Sequence, residues 1–399
     1  MGQIVLTQQA TPNTPPAGSL ALYADSNNNL KYMTSTGSIG GITNGRNRIV
    51  NGAMEINQRQ KTGTLVSGDV MVDRFRTSLS ASSTVTFTQS TDVPTNAQAG
   101  QSFQNSLNVQ ATTEASLDAS DIISFYQGLE GYNIKDLIGD GYNNGFTISF
   151  WAKCTVAGTY CLWIQESTAG RCYVHECAIT TAWTKITHTV TAVPSGGTWL
   201  KTNGLGLTIG ITLMSGSNRK DGTNDTWVST SDERATANQT FANNGVTVNW
   251  YFTGFQLEAG PVATPFEFRL YAQELNLCRR YCRVYLPGLP SAKAALRHIG
   301  NYIELMDTFE IPMRATPTFF HNITGWSSGS ATTTLASAYD YANTRYYTIT
   351  GALSINGVGV SNSAGYLDFI AASSFDGTKG DAAVIQLGPD VICGWSIEL

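Results

Sequence analysis

Cys172, His175 and Cys177 stand within "CYVHEC" (172–177), and paired thiolate and imidazole groups at short spacing are what a zinc ion takes as ligands. The same six residues alternate like a strand. On a strand Cys172 and Cys177 have opposite parity and point to opposite faces, and no second cluster completes four ligands. Core packing is the expectation, and no metal site is assigned. The four histidines, His175, His188, His298 and His321, lie in separate segments and form no motif. "DGYNNG" (140–145) and "DGTND" (221–225) are clusters of the kind that hold calcium. They are also ordinary turn sequences, and the first has Trp151 where an EF-hand loop would place its closing Glu. Structural calcium stays open on these residues; no other cofactor is expected.

Catalytic patterns are scarce. Glycoside hydrolysis needs two carboxylates roughly 5–10 Å apart, and spacing alone pairs none of Glu130, Asp136, Glu166 and Glu258. Each reads as a strand-edge or turn charge. The G-x-S-x-G nucleophile elbow and the phosphate-binding P-loop are absent, and "GLGLTIG" (204–210) alternates as a strand rather than forming a dinucleotide loop. No catalytic residue is assigned, and the chain is not expected to be an enzyme. Aromatic side chains are plentiful: 17 Tyr, 16 Phe and 8 Trp. Flat rings beside amide and hydroxyl groups suit sugars, whose CH faces stack while their hydroxyls hydrogen-bond. Trp326, Tyr339, Tyr341, Tyr346 and Tyr347 lie in Ser/Thr/Asn/Gly-rich stretches near the C-terminus and are the receptor-binding candidates.

The elements that must position these groups are strands. "FTISFWAKC" sets Phe146, Ile148, Phe150, Ala152 and Cys154 on one face, and "LGLTIGITL" does the same for Leu205, Leu207, Ile209, Ile211 and Leu213. "STVTFTQS" alternates Val85 and Phe87 with polar residues, and "VTVNWYFTGFQLE" reads as the last strand of the series. Such period-2 alternation between turn sequences predicts an all-β chain built on an antiparallel β-sandwich, jelly-roll-like. "GLEGYNIKDLIG" has room for one helical turn at its edge. Four parts are expected: a hairpin anchor at 1–45, the sandwich at 46–270, a helical connector at 271–290 and a smaller β domain at 291–399. In the connector Tyr271, Leu275, Cys278, Cys282 and Tyr285 are spaced 4, 3, 4, 3, as on one side of a helix.

Composition narrows the function. Only 13% of the 399 residues are charged and the net charge is −5, so the surface is neutral and hydrogen-bonding, without the basic patch that nucleic-acid binding needs. No run approaches the roughly 18 apolar residues of a membrane span, and the opening lacks the basic and apolar regions of a signal peptide. Seven cysteines is an odd count, and buried free thiols are expected rather than a disulfide framework. Cys154 and Cys161 flank a turn at Ala157-Gly158 that would set them opposite each other in a hairpin, so a disulfide there stays open.

Several stretches resemble, in order, a recurrent module of tailed-bacteriophage fibre and tail-associated proteins. They are "NRIVNGAMEINQRQ" (47–60), "VDRF" (72–75), "QGLEGYNIKDL" (127–137), "ISFWAK" (148–153) and "TGFQLEAGPVATPFEFRLYAQELNLCRRY" (253–281). "FEIPMRATPT" (309–318) and the terminal "GWSIEL" resemble the domain that often follows it, and the opening resembles a virion-proximal hairpin. The resemblance implies a sandwich like those of carbohydrate-binding modules, a homotrimer, and a place on the virion as tail fibre or tailspike. It implies contact with other tail or head proteins through residues 1–45, and adsorption to a host-surface glycan or protein. It carries no catalytic residue. A head fibre, collar or decoration protein without a receptor role is the alternative, ahead of a polysaccharide depolymerase. Cysteines between Cys154 and Cys177 depart from the pattern, where Ser, Thr or Val is expected.

Overall fold

The computed structural model describes residues 12–24, 30–35, 39–41, 45–114, 116–138, 145–168, 170–194, 197–229, 233–285, 294–297, 302–309, 311–321, 336–340, 345–349, 364–370, 382–387 and 393–398. It divides into two compact units, Met1–Leu270 and Tyr271–Glu398.

In the first unit, β1 (Leu20–Ala24), β2 (Leu30–Thr34) and β3 (Ile39–Gly41) form a small antiparallel sheet at the N-terminus. The sandwich follows with β4 (Gly63–Thr64), β5 (Arg76–Ser80), β6 (Val85–Ser90), β7 (Ser106–Ala111), β8 (Ile122–Glu130), β9 (Phe146–Cys154), β10 (Gly158–Glu166), β11 (Cys172–Ile179), β12 (Thr184–Val190), β13 (Leu205–Ser215), β14 (Thr226–Val228) and β15 (Val248–Ala259). One sheet has the order β14-β11-β10-β13-β8-β5 and the other β12-β9-β15-β7-β6-β4. Every pairing within them is antiparallel. The all-β sandwich expected from the alternation is what the chain forms.

Period-2 burial explains the two layers. Phe146, Ile148, Phe150, Ala152 and Cys154 of β9 face Leu207, Ile209, Ile211 and Leu213 of β13 across one apolar core, which also holds Phe252 and Phe255 of β15, the strand beside β9. Phe150 and Phe255 stack at 4.7 Å, and Phe125 meets Phe252 at 5.0 Å. Short helices punctuate the strands. α1 (Asn96–Ala99) is closed by a capping box between Thr95 and Gln98, and α2 (Gly131–Ile134) is the single turn expected in "GLEGYNI".

The stretch 156–158 departs from its expected hairpin. β9 and β10 lie in different sheets, so the chain crosses between layers at Val156–Gly158 instead of turning back on itself. Cys154 faces the main core, where its thiol lies 3.2 Å from the Tyr160 hydroxyl, while Cys161 faces a separate cluster on the outer side of the first sheet. Cys154, Cys161 and Cys177 are buried thiols, as expected.

Residues from 45–56, Asp73, Gln127 and 255–269 meet in one largely buried polar cluster. Asn47 donates to the Phe255 carbonyl at 2.9 Å and accepts from the amides of Ile49 (2.9 Å) and Leu257 (3.1 Å). Asn51, in the left-handed region at φ 60°, accepts from the Ile56 amide and donates to the carbonyls of Ile56 and Asp73. Gln127 both donates to and accepts from the Val50 backbone. Gly52 packs so tightly that a Cβ there would sit 2.1 Å from the Phe255 carbonyl oxygen. Glu267 accepts from the amides of Gly45 and Asn47, and Arg269 donates to the carbonyls of Asn47 and Ile49. Their common task is structural: they pin the entry of the sandwich to its last strand and supply buried backbone groups on both sides.

The second unit begins with α3 (Tyr271–Arg279). Then come β16 (Cys282–Tyr285), β17 (Ala294–Arg297), β18 (Tyr302–Thr308), β19 (Thr318–His321), β20 (Ala336–Asp340), β21 (Arg345–Ile349), β22 (Ala364–Ile370), β23 (Ala382–Leu387) and β24 (Cys393–Ser396). They form sheets β16-β24-β19 and β21-β20-β23-β17-β18-β22. The helix is shorter than its 4-3-4-3 spacing suggests. The Tyr281 amide donates to the Cys278 carbonyl and closes the turn, and Cys282–Tyr285 then pairs with β24. Tyr271 is 62% exposed while Cys278 and Cys282 are buried, so the five positions do not share a helical face.

Candidate functional site on the outer face of the first sheet

Alternation sends Leu162 and Ile164 of β10 into the core, and so sends Trp163 and Gln165 outward. Register places Trp163 beside Gly210 of β13, Gly210 beside Tyr126 of β8, and Tyr126 beside Arg76 of β5. The indole lies across Gly210: a Cβ there would meet Trp163 Cζ2 at 2.3 Å. Trp163 Nε1 donates to Ser124 Oγ at 3.0 Å, which fixes the ring flat on the sheet. Tyr126 stands next to it, with centroids 6.0 Å apart, and is only half-buried.

Two guanidinium groups frame the rings. Arg234 sits 4.5 Å above the Trp163 ring and donates to Gln165 Oε1 at 3.4 Å. Arg76 lies 6.0 Å from the Tyr126 centroid. Arg234 is delivered by a segment crossing the outer face: its carbonyl accepts from Thr212 Oγ1 at 2.7 Å, and neighbouring Ala235 packs with Cys161, Cys172 and Val174. The result is one half-exposed ring, Tyr126, beside an indole that Arg234 covers and that keeps only 1% of its surface, with Gln165 buried next to it. Such a surface can stack a sugar's CH face and hold its hydroxyls. In the sequence, Trp163 and Tyr126 were hidden among core aromatics. Their parity against the apolar neighbours Leu162 and Phe125 was the available signal.

A second cluster stands at the edge where the two sheets approach. His175 of β11 and His188 of β12 stack with centroids 3.6 Å apart, at 19°. Asp225, just before β14, places Oδ1 2.7 Å from His175 Nδ1 and 3.5 Å from His188 Nε2. The Tyr173 hydroxyl is 2.9 Å from His188 Nε2, and Trp227 packs on the Tyr173 ring at 5.3 Å. Burial, with His175 adding to it and Asp225 opposing, holds His188 down to about 4, so its imidazole is neutral near pH 7. Burial and then Asp225 push the Tyr173 phenol far above its usual range. Two of the four histidines that formed no motif in the sequence, His175 and His188, are therefore brought together by the fold. Asp225 of "DGTND" turns to imidazoles rather than to a cage of oxygens. The "DGYNNG" cluster falls on 140–145, of which 140–144 lie outside the described residues.

The carboxylates are placed differently from expectation. Glu130, Glu166 and Glu258 are buried rather than edge charges. Glu258 accepts from the Thr264 amide and hydroxyl and from Gln256 Nε2, which anchors the segment after β15. Asp136 pairs with Arg48 at 2.7 Å on the surface. As expected, Cys172 and Cys177 take opposite faces of β11. Of the receptor-binding candidates, Trp326 and Tyr341 lie outside the described residues. Tyr339 is on β20 and Tyr346 and Tyr347 are on β21, with Tyr339 opposite Tyr346 in the register.

No protein-family model matches the chain, and no curated relative does. Among solved structures, similar folds include the enzymatically active domain of bacteriophage CBA120 tailspike protein 4, at 12% identity and TM-score 0.28, over 54% of this chain and 21% of that one. TmCBM61 in complex with β-1,4-galactotriose overlays at 13% identity and TM-score 0.27, over 54% of this chain and 99% of that one. A Family 11 carbohydrate-binding module from Clostridium thermocellum, in complex with a mixed-linked tetrasaccharide, does so at 11% identity and TM-score 0.27, over 51% and 98%. The likeness to each is slight, and the sandwich stands on its own strand order and register.

Proposed function

We propose that this chain is a structural protein of a bacteriophage virion, a tail fibre or tailspike subunit that adsorbs to a host-surface glycan and works as a homotrimer. The virion role is supported by the order and span of the shared stretches, whose buried polar network is a scaffold rather than a catalytic centre. The observation that carries the glycan reading is the outer sheet face: the half-exposed Tyr126 ring, backed by the buried Trp163 and flanked by Arg76 and Arg234. The chain acts by binding, without catalysis. Trp326, Tyr339, Tyr341, Tyr346 and Tyr347 are separate receptor-binding candidates in this reading.

The test is binding of the full-length protein to a panel of bacterial lipopolysaccharides and capsular polysaccharides, followed by a phage adsorption assay with the protein as competitor. Y126A is expected to weaken glycan binding about tenfold, the loss of one stacking contact worth ~1.4 kcal/mol. Adsorption should fall when the wild-type protein is added first. Unchanged adsorption, with no glycan bound, would favour a head, collar or decoration protein. Release of reducing ends from a bound polysaccharide would make the chain a depolymerase.

A further inference from the structure

We propose that His175, His188 and Asp225 form a binding site for a divalent transition-metal ion of the zinc type, clamping the open edge of the sandwich. The three ligand atoms all lie within 4.8 Å of one another. Two imidazole nitrogens and a carboxylate oxygen suit zinc, nickel or copper, whereas calcium and magnesium want oxygen alone. A tetrahedral zinc ion with ligand bonds near 2.0–2.2 Å holds neighbouring ligand atoms roughly 3.3–3.5 Å apart. The pair His188 Nε2 and Asp225 Oδ1 already stands at 3.5 Å. The pair His175 Nδ1 and Asp225 Oδ1 stands at 2.7 Å and has to open by well under 1 Å. Binding displaces the Tyr173 hydroxyl from His188 Nε2, where it lies at 2.9 Å, and turns the imidazoles until both nitrogens face the ion. Water then fills the fourth position, within reach of the Tyr173 hydroxyl.

The supports come from both sheets. His175 belongs to one sheet, His188 to the other, and Asp225 to a loop tied to β11 by its own amide on the Val174 carbonyl at 2.8 Å. Asp225 itself holds a left-handed backbone at φ 57°, a conformation rare outside Gly, Asn and Asp. Tyr173 and Trp227 wall the site on its inner side. His175 and His188 side chains keep 19% and 11% of their surface and Asp225 47%, which leaves an entry path. An ion here would join β11, β12 and the β14 loop where no strand pairing joins the two sheets.

The experiment uses the full-length protein, stripped with a chelator, and titrated calorimetrically with zinc chloride and optically with cobalt(II). One ion per chain at micromolar affinity or better is expected, with a rise in Tm of about 5 °C in excess zinc. H175A and H188A should each weaken binding at least tenfold, and calcium should not compete. The cobalt spectrum should show nitrogen and oxygen ligands only. Should H188A fail to fold, the more exposed H175A and D225N carry the same test. Absence of saturable zinc binding, wild-type affinity in H175A, or a thiolate-to-cobalt charge-transfer band would each overturn the site.

Discussion

Asn47 shows how much one side chain can hold. Two of its three hydrogen bonds join residues about two hundred positions apart, the third is local to Ile49, and all three partners are backbone groups away from solvent. N47A would leave the amides of Ile49 and Leu257 and the Phe255 carbonyl without that partner. An unsatisfied buried group costs about 1–3 kcal/mol, so a loss of ~2–4 kcal/mol is expected, read as a lower midpoint in urea with an unchanged slope. The same residue marks what sequence reading can reach. "NRIVNGAMEINQRQ" stands out as a motif, but its reason, a turn whose amides are supplied by distant strands, involves no local periodicity. The histidine cluster was invisible for a related cause. His175 and His188 are neighbours only because β11 and β12 lie in opposite sheets, and alternation says nothing about which sheet a strand joins.

At the scale of elements, alternation placed β6, β9, β13 and β15 and their buried faces, because each has one side against the core. It failed at two connections. The step at 156–158 has the composition of a hairpin turn yet carries the chain between layers. The run after Arg279 has helical spacing yet becomes a strand, where β24 supplies a ladder that spacing cannot register. Between elements, Asp92 in the loop after β6 accepts from Trp183 Nε1 at 3.0 Å and pairs with Lys153 of β9. Burial raises the Asp92 carboxyl, but the bonds from Lys153 and Trp183 outweigh it and bring it below its ordinary 3.8. A carboxyl lowered by folding stabilises above that value and loses the contribution as pH falls through the folded one. Because Asp92 is largely exposed, the contribution after solvent screening is under about 1 kcal/mol. D92N should therefore melt lower than wild type near pH 6, and the two Tm curves should converge on acidification towards pH 2. Parallel curves across that range would mean that the Asp92 contacts with Lys153 and Trp183 add no charge-dependent stability.

For the whole molecule, the thiols report on cooperativity. Burial pushes the Cys161 thiol up to about 11 and Cys177 up to about 12, and raises Cys154 as well. Native protein at pH 8 should leave all three unlabelled by a thiol reagent that modifies them at once in guanidinium. Labelling by mass spectrometry should then rise in step with global unfolding. Early modification of Cys154 alone would mean that the sheet-to-sheet crossing opens by itself. The polar cluster at the entry of the sandwich also sets a clock. Arg269 bonds the Asn47 carbonyl 222 positions earlier. Ribosomes add about 5–20 residues per second, so the first motif waits on the order of 10–45 s before its last partner exists. Until β15 is made, the second sheet lacks the strand that joins β9 to β7. The sandwich is thus a fold completed after most of it has been made, and its yield in a cell depends on what shields those strands in the meantime.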